Sequence, residues 1–472
     1  MPRFRVAALT MLALAATIRA ADAQTPDLGA ITDKVFAAWR SPDGPGCVVG
    51  IDRAGQPRFT RAYGSADLEY GIPNRPETIF EAGSVSKQFT AAATVLLALD
   101  GKIRLEDDVR KYVPELPQYE RPITIRQLLN HTSGLRDWGE LVDLEGWPRG
   151  TRAFGMDDVL QVIVRQRALN YPPGDRYAYT NSGYNLLAII VARVSGKALP
   201  EFTRDRIFTP LGMTNTGWRD DFTRIVKGRA QAYSKGDDGW RLDMPFEKLY
   251  GNSSLLTTVS DLLTWTAVLE NPPAPWRALR DSLQVRGVLT NGDTSVYAMG
   301  LVLDRYRGLS RVEHNGATAG YRADLVRYTG KGLAIAMLCN AGDVVPRTPT
   351  REIADALLAA DFAPVGAPVP ARPAQPNAAW LPTAADLASA AGRYYSPDVP
   401  GAVTVSVQNG ALVLFRAPAT KVTLQPTTRD HYSGFGTAPG NELWFTRGVN
   451  GRVTALHVRT IRAFDVVYDR QR

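Results

Sequence analysis

The chain has 472 residues, enough for two or three domains of ordinary size, and its 44% apolar and 22% charged residues suit a globular protein with a sizeable core. Its formal charge of +8 comes from scattered Lys and Arg residues without a basic run or zinc-finger spacing, which argues against a nucleic-acid partner. The two cysteines and four histidines form no cluster at metal-ligand spacing, so neither a metal nor another cofactor is expected.

Residues 1–23 place Arg3 and Arg5 before the apolar run "VAALTMLALAATI" and end on "ADA". That order is the pattern of a secretory signal, although Arg19 is unusual within it, and the mature chain is expected to start at Gln24. The run falls short of the roughly 20 residues needed to span a bilayer, and no later stretch approaches that length. The expectation is therefore a periplasmic or extracellular protein without stable membrane insertion. Cys47 and Cys339 each lie on an apolar, strand-like run. An oxidising compartment would permit a bridge between them, and two buried free thiols fit the sequence equally well.

Between about residues 24 and 361 the signals are mixed. "CVVGIDRAGQPRFTRAYG" predicts two strands around a turn at "RAGQ", and "QFTAAATVLLALDG" predicts a buried helix ended by Gly101. Helical patterns follow at 123–130, 183–196 and 258–270, with strands at 297–303, 321–328 and 332–339. Strands at both ends enclosing a helical middle predict an α+β domain, one sheet built from distant parts of the chain with helices packed on it. The proline-rich segment 362–383 predicts a semi-extended linker. In 384–472, "VTVSVQNGALVLF" and "ELWFTRGVNGRVTALHV" alternate apolar and polar residues around Asn-Gly pairs, predicting an antiparallel all-β domain, a small barrel.

Ser84 and Lys87 stand three apart in "FEAGSVSKQFTA", where the first long helix begins. A serine there lies near unsatisfied N–H groups and the positive end of the helix dipole. A lysine nearly one turn on can reach its hydroxyl, and burial would favour the neutral amine that a base requires. By itself this spacing is common in proteins. A second element, "YPPGDRYAYTNSGYN", puts Tyr179 and Asn181 in a loop before a helix starting near Ser182, a phenol to relay a proton and a carboxamide to hold a substrate carbonyl or amide. A third, "VEHNGATAGYRADL", offers His314-Asn315-Gly316, its glycine permitting close backbone approach.

In this order the three elements resemble the motifs of the serine β-lactamase and penicillin-binding protein superfamily. The runs "ITIRQLLNHTSGL" and "PPGDRYAYTNSGYNLLAIIVARVSG", with "LGMTNTGW" and "GNSSLLTTVSDLLTW", resemble the branch of class C β-lactamases, D-aminopeptidases and family VIII esterases. The likeness covers about residues 30–360 and implies a β-lactamase/transpeptidase-like antiparallel sheet flanked by helices. It further implies Ser84 as the acylated nucleophile, Lys87 as its proton acceptor and Tyr179 as partner base and leaving-group acid. Asn181, His314 and Gly316 would bind substrate, and the backbone N–H groups of Ser84 and Ala317 would form the oxyanion hole.

The third motif opens with His314 where β-lactamases and transpeptidases carry a lysine. A histidine lacks a permanent charge near neutral pH, which favours the aminopeptidase and esterase branch, with Arg311 and Arg322 as candidates to replace the charge. "LLNHTSGL" reads as structural, with His131, Thr132 and Ser133 satisfying backbone at a turn closed by Gly134. Residues 136–150, with Trp138 and Trp147, read equally as a pocket wall or as a surface loop. The C-terminal domain resembles barrels appended to related exported hydrolases; it could lend the site a loop, but stability or partner binding is the expected role. The leading expectation is an exported serine hydrolase of a small ester or amide, such as a D-amino-acid peptide or ester. A β-lactamase or D-Ala-D-Ala carboxypeptidase and an inactive binding protein are the alternatives, with a cell-wall-derived molecule among the possible ligands. The absence of a GxSxG elbow, an HExxH pair or a glycine-rich phosphate loop removes other hydrolase and nucleotide readings.

Overall fold

The computed structural model describes residues 26–364, 380–418, 420–435 and 440–472. The expected leader and most of the proline-rich segment lie outside the described residues. No helix among the described residues is long and apolar enough to cross a membrane.

The apolar run at Cys47–Arg53 forms a strand that pairs antiparallel with Phe59–Tyr63 on one side and Leu333–Cys339 on the other. It joins the early and late parts of the chain in one six-stranded sheet, which continues through Tyr321–Tyr328 and Leu309–Thr318 to Val302–Tyr306. Both sheet faces are covered, which is why several strands read as continuous apolar runs. The helix Val259–Glu270 packs so closely on one face that a Cβ at Gly50 would come within 2.8 Å of Leu263. On the other face the helices Leu28–Val35 and Arg347–Leu357 enclose a second core around Val49, Ile51, Ile335 and Met337.

Local chemistry sets the helix boundaries. Lys87–Leu99 is buried along nearly its whole length and ends before Gly101, which takes φ +69. Ile125–Leu129 starts with a capping box between Thr124 and Gln127, and Asn181–Ser195 ends on a left-handed Gly196. The strand expected over 297–303 starts later, at Val302. Gly300 at φ +77 turns the chain there, and a Cβ on it would lie 2.8 Å from the Lys87 carbonyl oxygen. Residues 138–144 form a helix that sequence reasoning did not anticipate, capped by Asp137. Its Trp138 is fully buried, whereas Trp147 is 44% exposed, so the two indoles have different roles. Cys47 and Cys339 are direct cross-strand partners and are disulfide-bonded, which decides the question the sequence left open.

The C-terminal region forms a nearly closed barrel of nine antiparallel strands. Asn409-Gly410 makes the expected two-residue hairpin, both residues at positive φ. At Asn450-Gly451 only the glycine has positive φ, and a register shift at Thr446/Arg447 gives a wider turn. The helix Ala384–Ala390, begun by a Thr383–Asp386 capping box, precedes the strands and contributes Leu387 and Ala390 to their core. The barrel meets the first region through a buried Arg136–Asp398 ion pair at 3.1 Å. Gly146 also packs against the carbonyl of Ala417 with no room for a Cβ.

Replacing Cys47 and Cys339 together by alanine should lower the unfolding free energy by about 2–5 kcal/mol, measured as a shift of the urea midpoint against the oxidised parent.

Candidate active site

Ser84 lies in the 3₁₀ turn Gly83–Ser86 that leads into the helix Lys87–Leu99. This entry puts Lys87 on the same side, with Nζ 3.2 Å from Ser84 Oγ. The amine donates to Asn181 Oδ1 at 2.9 Å and to the Asn252 carbonyl at 2.7 Å. Lys87 has no exposure to solvent and no carboxylate among these partners. Burial, followed by the field of Arg462, holds its pKa well below the usual lysine range, with Asp137 opposing weakly. Such an amine can accept a proton at neutral pH, and the hydroxyl beside it is the nearest source.

Tyr179 lies just before the helix Asn181–Ser195, whose N-cap Thr180 is extended. Its ring lies 4.8 Å from Lys87 Nζ, and its buried hydroxyl has no hydrogen-bond partner. Burial pushes the phenol far above its usual pKa; nearby Ser84 opposes this but is not within hydrogen-bond geometry. A phenol so placed remains protonated and can donate. Asp137 sets the height of this segment. One of its oxygens accepts from Gly139 N–H at 3.0 Å and the other from Asn181 N–H at 2.6 Å, so a single carboxylate caps two helices.

His131 is buried at φ +58, and its Nδ1 accepts from the Thr180 N–H at 3.3 Å. It therefore bonds backbone, and the chain it fixes lies between Tyr179 and Asn181. Burial keeps it neutral, with its pKa well below the usual histidine value.

His314 lies on the strand Leu309–Thr318, where Nδ1 is 2.7 Å from the Asn315 carbonyl and Nε2 is 2.9 Å from Tyr297 Oη. A carbonyl can only accept, so Nδ1 carries the proton and Nε2 accepts from the phenol. Burial lowers the His314 pKa to about 3, and both ring nitrogens are occupied within the protein. The ring thus cannot supply the missing lysine charge. Arg311 is tied to Asp304 at 2.6 and 2.8 Å, and Arg322 donates to the carbonyls of Ala319, Tyr321 and Gly342. Neither of these arginines, proposed from sequence as substitutes, has its charge directed at Ser84.

Two glycines bring the proposed oxyanion donors together. A Cβ on Gly83, which sits at φ +52, would lie 2.6 Å from the Ala317 nitrogen. One on Gly316 would collide with the Ala82 carbonyl and lie 2.9 Å from the Ser84 nitrogen. The backbones of 82–84 and 316–317 therefore touch, as only glycine allows. From Ala317 a recess of about 530 Å³ extends past Thr318 and Arg322 toward Arg149 and Glu247.

The C-terminal barrel also reaches the site, the loop contribution that the sequence allowed beside the expected role in stability or partner binding. Its residues 460–465 lie against the second motif, with the Arg462 guanidinium 5.1 Å from the centre of the Tyr179 ring. Gly83, Asp137, Tyr297 and Arg462 were not among the residues chosen from sequence. The glycine beside a candidate serine and the aspartate before "WGEL" were visible signals; "TIRAFD" and "VYAMG" carried none.

Fold and motif order together are those of the serine β-lactamase and penicillin-binding protein superfamily. The chain belongs to the beta-lactamase family, whose model, described as Beta-lactamase, matches residues 31–360. A D-aminopeptidase of Cereibacter sphaeroides is 30% identical over 67% of this chain and 60% of its own length, so the chain spans about 60% of that relative. Penicillin-binding protein 4* of Bacillus subtilis is 28% identical over 83% of this chain and 87% of its own. The octameric penicillin-binding protein homologue from Pyrococcus abyssi has the same fold, with a TM-score of 0.62, 21% identity, and coverage of 94% of this chain and 100% of its own.

The folded protein holds His131 and His314 neutral, so the unfolded chain binds more protons once the pH falls below about 6.5. Stability is full above that pH and declines below it, down to about pH 3 in the case of His314. Between pH 7 and 5 the loss of urea-derived stability should be smaller in His314→Asn than in the parent by about 2 kcal/mol.

Proposed function

We propose that the chain hydrolyses a small amide or ester, its acyl part a D-amino acid or D-peptide, through an acyl-enzyme on Ser84. The observation that carries this reading is the Lys87 amine, 3.2 Å from Ser84 Oγ and hydrogen-bonded only to neutral oxygens. Neutral Lys87 takes the Ser84 proton as Oγ attacks the carbonyl carbon. The tetrahedral oxygen is stabilised by the N–H groups of Ser84 and Ala317. Collapse breaks the bond to the leaving group, which takes a proton from Tyr179; Lys87 returns the Ser84 proton to the phenol. Water then attacks the ester, passing its proton back through the same groups, and releases the acid. Asn181 orients both Lys87 and the substrate carbonyl. His314 contributes shape, and Gly316 allows the backbone contact behind the oxyanion site.

The D-configuration rests on the D-aminopeptidase relatives, whose names give that specificity for themselves. A carboxypeptidase or β-lactamase activity is the second reading, favoured by the arginine beside Tyr179. A non-catalytic binder is disfavoured by the proximity of Ser84, Lys87 and Asn181. The proposal includes export directed by residues 1–23, with 24–361 as the hydrolase domain and 384–472 as the barrel. An amino terminus at residue 24 in secreted material would support the export step, and one at Met1 would refute it.

Wild type should turn over at least one of p-nitrophenyl butyrate, a D-alanyl anilide and nitrocefin, and intact mass should show an acyl adduct that is absent in Ser84→Ala. A folded chain with neither turnover nor adduct refutes the reading. Lys87→Met should lower kcat/KM at least 10²-fold, whereas Tyr179→Phe should cost more on the anilide than on the p-nitrophenyl ester, whose leaving group needs no proton.

A further inference from the structure

We infer that Asn185, acting through the side chain of Asn252, is a positioning residue that aims the lone pair of Lys87 at Ser84. The inference rests on the acyl-enzyme reading above and goes beyond it by naming what gives the proposed base its direction.

A neutral amine has two hydrogens and one lone pair. Lys87 Nζ has three oxygen neighbours: Ser84 Oγ at 3.2 Å, Asn181 Oδ1 at 2.9 Å and the Asn252 carbonyl at 2.7 Å. The carboxamide oxygen and the carbonyl can only accept, so they take the two hydrogens. The lone pair is left facing the Ser84 hydroxyl. Were the Asn252 carbonyl drawn away, one N–H could turn toward Oγ, and the serine would meet a donor where it needs an acceptor.

The Asn252 carbonyl belongs to a turn between Gly251 at φ +100 and Ser254 at φ +80. A serine in that region is held there by its surroundings. Thr90 Oγ1 donates to the Gly251 carbonyl at 2.7 Å, and Ser86 Oγ accepts from Leu255 N–H at 3.0 Å, so both ends of the turn are tied to the start of the helix that bears Lys87. Between these ties, Asn185 Nδ2 donates to Asn252 Oδ1 and to the Tyr250 carbonyl, each at 2.9 Å. The Tyr250 carbonyl can only accept, which fixes the nitrogen of Asn185 toward the turn and the oxygen of Asn252 toward Asn185. Among the described residues this is the one hydrogen bond to the Asn252 side chain.

Asn181 and Asn185 stand four apart in the helix Asn181–Ser195 and share a face of it. Asn181 takes one Lys87 hydrogen directly, and Asn185 governs the other through Asn252. Asn185 is fully buried, and its own Oδ1 has no partner. An unsatisfied buried acceptor is destabilising, and leucine has the same branching without one. Helix packing alone therefore does not account for an asparagine here, whereas the turn it holds does.

The contact strengthens as the reaction proceeds. When the Ser84 O–H breaks and its proton forms a third N–H on Lys87, the amine becomes an ammonium and its bond to the Asn252 carbonyl becomes charge-assisted. The carbonyl thus favours the transition state over the resting site, and its loss falls on kcat more than on KM.

The test uses the full-length chain with p-nitrophenyl butyrate, a D-alanyl anilide or nitrocefin, whichever the wild type turns over in a Ser84-dependent way. Asn185→Leu should lower kcat about tenfold, the factor of one charge-assisted hydrogen bond, and leave KM within about twofold. Asn252→Ala removes the other end of the contact and should cost the same factor, and the double variant should lose no more than either single one. In a Lys87→Met background no lone pair remains to aim. There Asn185→Leu should leave the single-turnover acylation rate, read as adduct by intact mass, within about twofold. An asparagine with a merely structural role would slow both backgrounds alike. Thermal midpoints show which variants are folded, and either single variant suffices for the comparison. The inference is overturned if kcat is unchanged in the folded variants, if the loss persists in Lys87→Met, if it appears in KM alone, or if neither variant folds. Absence of Ser84-dependent turnover in the wild type is a separate result: it refutes the acyl-enzyme reading, and this inference with it.

Discussion

A primary amine buried without a counter-ion is the constraint around which this molecule is arranged. Lys87 has no solvent contact and is surrounded by a hydroxyl, a carboxamide oxygen and a backbone carbonyl. Those acceptors suit either protonation state, whereas a carboxylate would have locked the amine as an ammonium. Maintaining the arrangement takes three distant pieces of chain. The 3₁₀ entry brings Ser84, the Asp137-capped helix start brings Asn181, and the 251–254 turn brings Asn252, whose side chain is in turn held by Asn185 at 2.9 Å. The apolar helix that buries Lys87 thus gives the fold its centre and the site its basicity.

The close approach of 82–84 to 316–317 is the second requirement, and it couples the site to the sheet. Gly316 lies within the strand Leu309–Thr318, paired with Ala323, where the serine turn lands on it. A side chain at Gly83 or Gly316 would separate helix from sheet and pull the two backbone donors apart. His314, two residues earlier, is held between Tyr297 and its own neighbour's carbonyl, which keeps the strand edge beside the cleft in one tautomer and one orientation.

The parts of this arrangement legible in the sequence are those where spacing along one element decides position. Ser84 and Lys87 share a helical turn, Tyr179 and Asn181 precede a helix whose end is marked by Gly196, and His314 to Gly316 ride on one strand. The sheet was legible because its runs are apolar on both faces, and Asn409-Gly410 marked a hairpin. Topology supplied the rest. Asp137 matters because the chain returns 44 residues later to place Asn181 on it, and Arg462 because a barrel loop folds back against Tyr179. The helix at 138–144 has only seven residues, too few for a periodic apolar stripe to mark it, and its start is set by the Asp137 cap. The strand expected at 297 was displaced by a glycine that yields to the Lys87 carbonyl.

The disulfide has a topological meaning beyond its strength. Cys47 and Cys339 are 292 residues apart and close most of the first region into a covalent ring. Ser84, Lys87, Tyr179, Asn181, His314 and Ala317 all lie inside that ring, whereas Arg462 lies on the open tail beyond it. A single backbone cut anywhere between the two cysteines leaves both fragments tied together with every proposed catalytic group still tethered. A cut between the ring and the barrel would leave the barrel, Arg462 included, without a covalent tie to those groups. The proposed catalytic groups and the barrel arginine beside Tyr179 are thus carried on covalently separable parts of one chain.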